Sequence, residues 1–276
     1  LIRVPRTNAL LDTTPLWLLL EWMLGGAGHE LPGIGENLRS GRLKAVALTT
    51  SSYSTGQSIT WTQGDHVTDW ERAHRRSRSC RLTVAHVMAS AALPVLFPAV
   101  QIEGAWYGDG GVRLTSPLAP AVHLGAGRIL AISTRYARTF AEADRHACDG
   151  YPPPAQIFGV LLNSIFLDLF DADALALERV NRLIEKMPEE RRMGMRPVRL
   201  LMLRPSRDLG LLANEYEPHL PSALRFMTRG LGTKQTRSND LLSLLMFQPD
   251  YLTRLVELGE KDARARSAEI EAFLAG

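Results

Sequence analysis

Asp109, Gly110 and Gly111 stand in a row, a turn signal that carries a carboxylate. A carboxylate within hydrogen-bond reach of a serine hydroxyl can accept its proton and so turn a poor nucleophile into a useful one. The two glycines permit a tight turn and leave no side chain between the acid and its partner. An Asp-Gly pair alone is above all a turn signal, so the partner matters. A serine poised for attack needs G-x-S-x-G, with small neighbours around a strained strand-to-helix turn, and that pattern is absent from the sequence. The nearest approach, G-Q-S-I-T at 56–60, lacks the second glycine and lies in a β-like run, so Ser58 is not expected to be a nucleophile. Ser90, between small alanines, is expected to pack a helix, and His86 to be a structural histidine. His74, Cys80 and His86 are each six residues apart, with no H-E-x-x-H or C-x-x-C beside them. That spacing argues against a metal site.

The surrounding chain is that of a globular protein. Of 276 residues, 45% are hydrophobic and 22% charged, enough for a substantial core. Two cysteines, Cys80 and Cys148, imply no disulfide framework, and a reducing, cytoplasmic setting is expected. The apolar stretches at 16–20 and 157–170 are not convincing membrane spans, the second being broken by Asn163, Ser164 and Asp168. The opening residues from Leu1 have no secretory layout and read as a mid-protein segment. A net charge of +3 is too weak a field to argue for nucleic acid. The local exception is 71–81, where Arg72, Arg75, Arg76, Arg78 and Arg81 crowd around His74. A solvated turn or helix face is the expectation there, with a contact for anionic head groups or phosphate as the sharper alternative.

Positioning elements can be read in order. Pro15 and the apolar run at 16–24 predict a helix, capped from Asp12, Thr13 or Thr14 and stopped at Gly25-Gly26. Alternation at 43–51 and the β-branched and aromatic run at 57–61 predict a hairpin. Residues 83–92 suit a helix, ended by Pro94, before β-like runs at 95–102 and 104–107. A helix over 117–124 and a fully apolar strand at 129–132 follow the glycine turn. An unbroken apolar strand suggests a parallel sheet buried on both faces. Two helices are expected across 155–187, a last buried strand at 198–203, and helices at 241–247 and 252–273. The helix over 157–170 could line an acyl-chain channel or touch a membrane, although plain core packing is the preferred reading.

The ordered set of motifs resembles the patatin family. It comprises A-S-A-A-L-P-V-L-F-P at 89–98, Y-G-D-G-G-V at 107–112, P-L-A-P-A at 117–121 and L-G-A at 124–126. The likeness extends to L-D-T-T-P-L at 11–16, F-L-D at 166–168 and the S-L-L-M-F run at 243–247 typical of bacterial members. Thr115-Ser116-Pro117 departs from the family's usual Asn-x-Pro, so the groups supporting Asp109 are expected to differ.

The resemblance implies a three-layer α/β fold with a central, mostly parallel sheet, lacking its first β-α-β unit and ending in a helical part. It is expected as one domain over 1–276: 1–134 carry the box and core strands, 135–204 a helical insertion and the last strand, and 205–276 the helical end. The implied activity is hydrolysis of phospholipid or other acyl esters by a Ser-Asp dyad. Asp109 would be the proton acceptor in that dyad, with Gly110 and Gly111 completing its motif. The nucleophile and the glycine-rich oxyanion loop are absent here, Gly25 to Gly28 being rejected as a substitute, and are expected upstream of Leu1. No cofactor or metal is implied, and the chain alone should be inactive. A peripheral membrane contact fits such a substrate, and no nucleic acid is expected. The rival readings are a catalytically dead lipid-binding or scaffold protein of the same fold and, ranked last, an anionic-surface or nucleic-acid binder using the arginine run.

Overall fold

A computed structural model describes residues 9–25, 30–65 and 67–275. The chain divides into two compact units, residues 1–125 and 126–276, where the sequence led us to expect one domain with internal changes at 134 and 204.

Unit 1 begins with α1 (Thr14–Leu24) and α2 (Pro32–Arg39). Helix α1 starts as expected, with the Asp12 carboxylate accepting from the Thr14 N–H and hydroxyl at 2.9 and 2.7 Å. The first of these bonds satisfies one of the helix's otherwise orphaned first donors. A six-stranded sheet follows, built from β1 (Ala45–Ser52), β2 (Ser58–Gly64), β3 (Glu71–Arg72), β4 (Arg75–Ser79), β5 (Val100–Ile102) and β6 (Ala105–Asp109). Its order is β3-β4-β2-β1-β6-β5. Helix α3 (Val84–Ser90) packs on β1, β5 and β6, and α4 (Ala119–His123) closes the unit.

The fold is α/β, but the mostly parallel sheet is corrected in this unit. Only β2 and β4 run parallel; the other four pairings are antiparallel. Short connections impose this for β1–β2, β3–β4 and β5–β6, since a tight turn can only return the chain antiparallel. β5 and β6 are joined through Glu103 and Gly104, whose φ angles of 50° and 81° are those of a two-residue hairpin turn. The expected β1–β2 hairpin is present, pairing Ala45 with Gly64 through Ser51 with Ser58. The arginine run is also corrected: it forms β3 and β4, not a turn or helix face. Arg76 and Arg78 lie in register with Ile59 and Trp61 of β2, so strand pairing overrides the run's polarity.

The core of unit 1 gathers Ile59, Trp61, Leu82, Val84, Met88, Ala89, Val100, Ile102 and Tyr107. Trp61 is fully buried, and its indole N–H donates to Thr50 Oγ1 at 2.8 Å. The buried ring thus has its one polar group satisfied.

Unit 2 contains a parallel pair, β7 (Arg128–Ile132) and β8 (Arg199–Leu203), within about two residues of the predicted strands. The crossover between them carries α5 (Phe140–Ala143), α6 (Pro154–Phe166) and α7 (Asp168–Lys186), the expected helical insertion. The predicted burial of both faces is not found: along β7 exposed residues alternate with buried Ile129 and Ala131, and Ile132 is 77% exposed. A two-stranded pair has too few neighbours to cover both faces. Helices α8 (Leu209–Tyr216), α9 (Ser222–Gly230), α10 (Asp240–Leu245), α11 (Pro249–Ala265) and α12 (Ser267–Ala275) complete the unit. Leu212, Leu220, Leu242, Met246 and Tyr251 make its main apolar cluster.

The preferred reading of α6 as a core helix is likewise corrected. Only Ala155 and Gly159 are buried, whereas Ile157, Phe158, Val160 and Leu161 are exposed. Among the described residues, no helix is long and apolar enough to cross a membrane.

Candidate active site

Asp109 ends β6 and faces Thr50 of β1 in the antiparallel register. Its N–H donates to the carbonyl of Ala92 at 2.9 Å, tying the acid to the loop after α3. The A-S-A-A stretch and the DGG box, separate in sequence, are therefore joined by a backbone bond. The carboxylate caps the short 3-10 turn Gly110–Val112, with Oδ1 accepting from the Gly111 N–H at 2.7 Å.

Gly110 and Gly111 open the 3-10 turn that follows Asp109. Gly110 and Gly111 are not among the residues with positive φ. Gly110 is required by packing: a Cβ there would lie 2.2 Å from the Thr49 carbonyl oxygen. Ser51 Oγ donates to the Gly110 carbonyl at 3.4 Å, a long bond that fastens the same junction to β1. Gly108, just before the acid, is less constrained: a Cβ there would sit 2.2 Å from the Tyr53 hydroxyl, the end of an exposed side chain that can move aside. Tyr53 was not legible as a site residue, because only strand pairing brings it beside Gly108.

Burial raises the Asp109 pKa above the ordinary carboxylate range, and the Gly111 N–H opposes part of that rise. The acid's charge in turn adds to the burial that raises the Tyr53 phenol. A desolvated carboxylate with raised proton affinity is a stronger base than a solvated one. One oxygen is held by Gly111, which leaves the other to meet a hydroxyl.

The remaining sequence candidates fall elsewhere. Ser58 is buried within β2, where its N–H donates to the His74 carbonyl at 2.9 Å. The Ser90 hydroxyl is turned back onto the Val87 carbonyl at 2.9 Å. Thr115 is exposed, and its N–H donates to the Arg113 carbonyl at 3.0 Å. Gly25 caps α1, its N–H donating to the Glu21 carbonyl, and Gly26 and Gly28 lie outside the described residues.

His86 is structural, as expected. Its Nδ1 accepts from the Thr83 N–H at 3.2 Å in a capping box at the start of α3, and its ring meets Trp61 edge-on at 4.7 Å. That bond places the neutral ring's proton on Nε2, 3.7 Å from Cys80 Sγ. Burial pushes the Cys80 thiol up to about 11, so it is a thiol and not a thiolate at neutral pH. Among the described residues, no three His, Cys, Asp or Glu side chains gather as a metal would need.

Burial also lowers the His86 pKa. A histidine buried neutral favours the unfolded state once the unfolded ring can take a proton. Stability from this group is therefore complete above its ordinary pKa of 6.5 and is lost as pH falls below it. His86→Gln, which keeps an acceptor for the Thr83 N–H, should cost about 1 kcal/mol at neutral pH through the lost ring contact. It should also flatten the stability decline between about pH 6.5 and 5. Urea unfolding across that range reads both effects, and an unchanged pH slope would remove His86 from this role.

A second polar concentration, unanticipated in the sequence, lies in unit 2. A cavity of about 530 Å³ is lined by Arg135, Arg138, Asn163, Arg204, Asp208 and Asp240, among others. Its charges are largely matched: Arg135 and Arg204 both meet Asp171, Arg135 also meets Asp168, and Arg138 meets Asp208 at 3.1 Å. Asp240 accepts from Asn163 Nδ2 at 2.6 Å, and burial raises its pKa.

The α/β unit 1 thus ends a strand on a half-buried acid next to a sterically required glycine. Residues 6–122 match the family model of the patatin-like phospholipases, a family whose members are typically hydrolases. The match falls within unit 1. No curated protein matches the chain.

Proposed function

We propose that this protein is the aspartate-bearing part of a lipid acyl hydrolase that cleaves phospholipid or related acyl esters through a Ser-Asp dyad. The observation that carries the reading is Asp109: a half-buried carboxylate at a strand end, with one oxygen held and its proton affinity raised. The nucleophilic serine is contributed from outside the 276 residues, since none of them forms the required elbow. In the first step the serine hydroxyl gives its proton to Asp109 while its oxygen attacks the ester carbonyl. Collapse of the tetrahedral intermediate expels the alcohol, which receives the proton from Asp109, and leaves an acyl-serine. Water then attacks, Asp109 takes its proton, and that proton returns to the serine as the fatty acid leaves. Backbone amides for the oxyanion come with the serine-bearing segment.

Exposed apolar surface adds support. In α1, Leu16, Leu18, Leu19, Trp22, Met23 and Leu24 are exposed, and α6 presents Ile157, Phe158, Val160 and Leu161. A lipid substrate, a membrane surface or a covering segment all require such surface. The test compares hydrolysis of a short-chain p-nitrophenyl ester by the chain alone and by the chain extended with the coding sequence immediately upstream. The chain alone should be silent and the extended protein active. Robust turnover by the chain alone would refute the assignment of roles.

A further inference from the structure

The sheet of unit 1 carries unmatched positive charge at its outer edge. β3 and β4 pair so that Arg72 lies opposite Arg75, and opposed residues of an antiparallel pair project to one face. Trp70 continues that face: its N–H donates to Ser77 Oγ at 2.8 Å, and the Ser77 N–H donates to the Trp70 carbonyl at 2.8 Å. The His123 ring, at the end of α4, stacks on Trp70 with centroids 4.6 Å apart and planes 12° from parallel. Burial lowers the His123 pKa first, and the charges of Arg72 and Arg75 lower it further. Two guanidinium groups and an imidazole thus share one corner.

Like charges placed opposite each other on a sheet are destabilising, whereas two later arginines of the same run are matched. Arg78 meets Glu103 at 3.1 Å, and Arg81 meets Glu30 at 3.3 Å. Among the described residues neither Arg72 nor Arg75 makes an ion pair. Arg72 and His123 are exposed and Arg75 is half-buried, so the corner is open to a ligand. Guanidinium forks match the oxygens of a phosphate group with parallel hydrogen bonds.

We propose that Arg72, Arg75 and the Trp70-stacked His123 form a binding site for a phosphate monoester group. The site is separate from Asp109. Following the register from Asp109 through Thr50 and Ile59 leads to Arg76, on the face opposite to Arg75. β4, β2 and β1 also intervene between β3 and β6, a separation of roughly 19 Å at about 4.8 Å per strand. The proposal does not depend on the hydrolase reading.

Two sources could bring this group, a lipid head group or a soluble phosphate, and the experiment separates them. The 276-residue chain is sedimented with phosphatidylcholine vesicles, with and without phosphatidic acid, and separately melted with and without inorganic phosphate. Arg72→Ala/Arg75→Ala is compared with Arg39→Ala/Arg42→Ala, which removes the same charge from exposed positions elsewhere in the unit. Binding should fall on the order of 30-fold in the first variant and less than about 3-fold in the second. Loss confined to phosphatidic acid vesicles assigns a lipid head group. Loss of the phosphate-induced rise in melting temperature assigns a soluble phosphate. Without ligand, Arg72→Ala/Arg75→Ala should melt at or above the wild type, because repulsion is removed. Equal losses in both variants, no binding of either probe by the wild type, or a lower melting temperature without ligand would each overturn the site.

Discussion

Replacing Asp109 by Asn should abolish ester hydrolysis in the serine-bearing protein and at the same time make the protein more stable. An amide cannot accept the serine proton, so turnover should fall by at least about 10³-fold, the scale of a general base. The fold should tolerate the change, because Asn Oδ1 can still accept from the Gly111 N–H that now holds Asp109 at 2.7 Å. Burial raises the acid's pKa in the folded state. Where the unfolded carboxyl is already ionised, folding must either bury that charge or bind a proton, and both count against the native state. The wild-type deficit relative to Asp109→Asn should be absent below the unfolded pKa, near 3.9. It should grow as pH rises through the raised folded value. At neutral pH the gain should be roughly 0.5–1 kcal/mol, the size usual for a stabilising single substitution. Urea titrations of both proteins at pH 3.5 and pH 7 measure it. A variant less stable than the wild type at pH 7 would mean that the carboxylate serves the fold and not a reaction.

Gly110→Ala should produce the largest loss of stability. The added Cβ would lie 2.2 Å from the Thr49 carbonyl oxygen and 3.0 Å from the Thr49 Cβ. Its nearest contact is backbone within a buried strand pair, so no flexible side chain can move aside. Overpacking of this kind costs about 3 kcal/mol, or a melting temperature lower by roughly 10 °C in a unit of this size. Activity should fall further than stability explains, because the turn that carries Asp109 must shift away from β1. Gly33→Ala is the control: nothing lies within 4 Å of its added Cβ, and it sits in α2. That change should be neutral or stabilising by up to about 1 kcal/mol. Thermal melts of the two variants separate steric exclusion at Gly110 from any general intolerance of glycine replacement.

Both predictions rest on one junction, where β6 stops against β1. The β1 residues there are small, and Gly108 and Gly110 on β6 have no side chain, so the chains approach closely and the acid projects at the end. His86 and Trp61 lie in the core behind this junction, filling space and satisfying caps, which is why the imidazole is not available for proton transfer. The corner at Trp70 and His123 lies on the opposite face and at the opposite edge of the sheet.

The sequence by itself determined most of the elements and set an acid before two glycines. Strong local signals sufficed: Pro15 beside Asp12 for α1, β-branched and aromatic residues for β1 and β2, unbroken apolar runs for β7 and β8, and Asp109 before two glycines. Such signals act within a few residues, through caps, turn chemistry and side-chain period. Tertiary structure decided how strands pair, because register depends on which partner offers a matching ladder. It turned the arginine run into β3 and β4, made the unit 1 sheet chiefly antiparallel, and left α6 and one face of β7 exposed. It also set the reason for Gly110, which is the nearness of Thr49 and not a special φ angle. Contacts between residues tens of positions apart, such as Gly108 with Tyr53 or Trp70 with His123, leave no periodic trace in the chain, so only folding brings them to view.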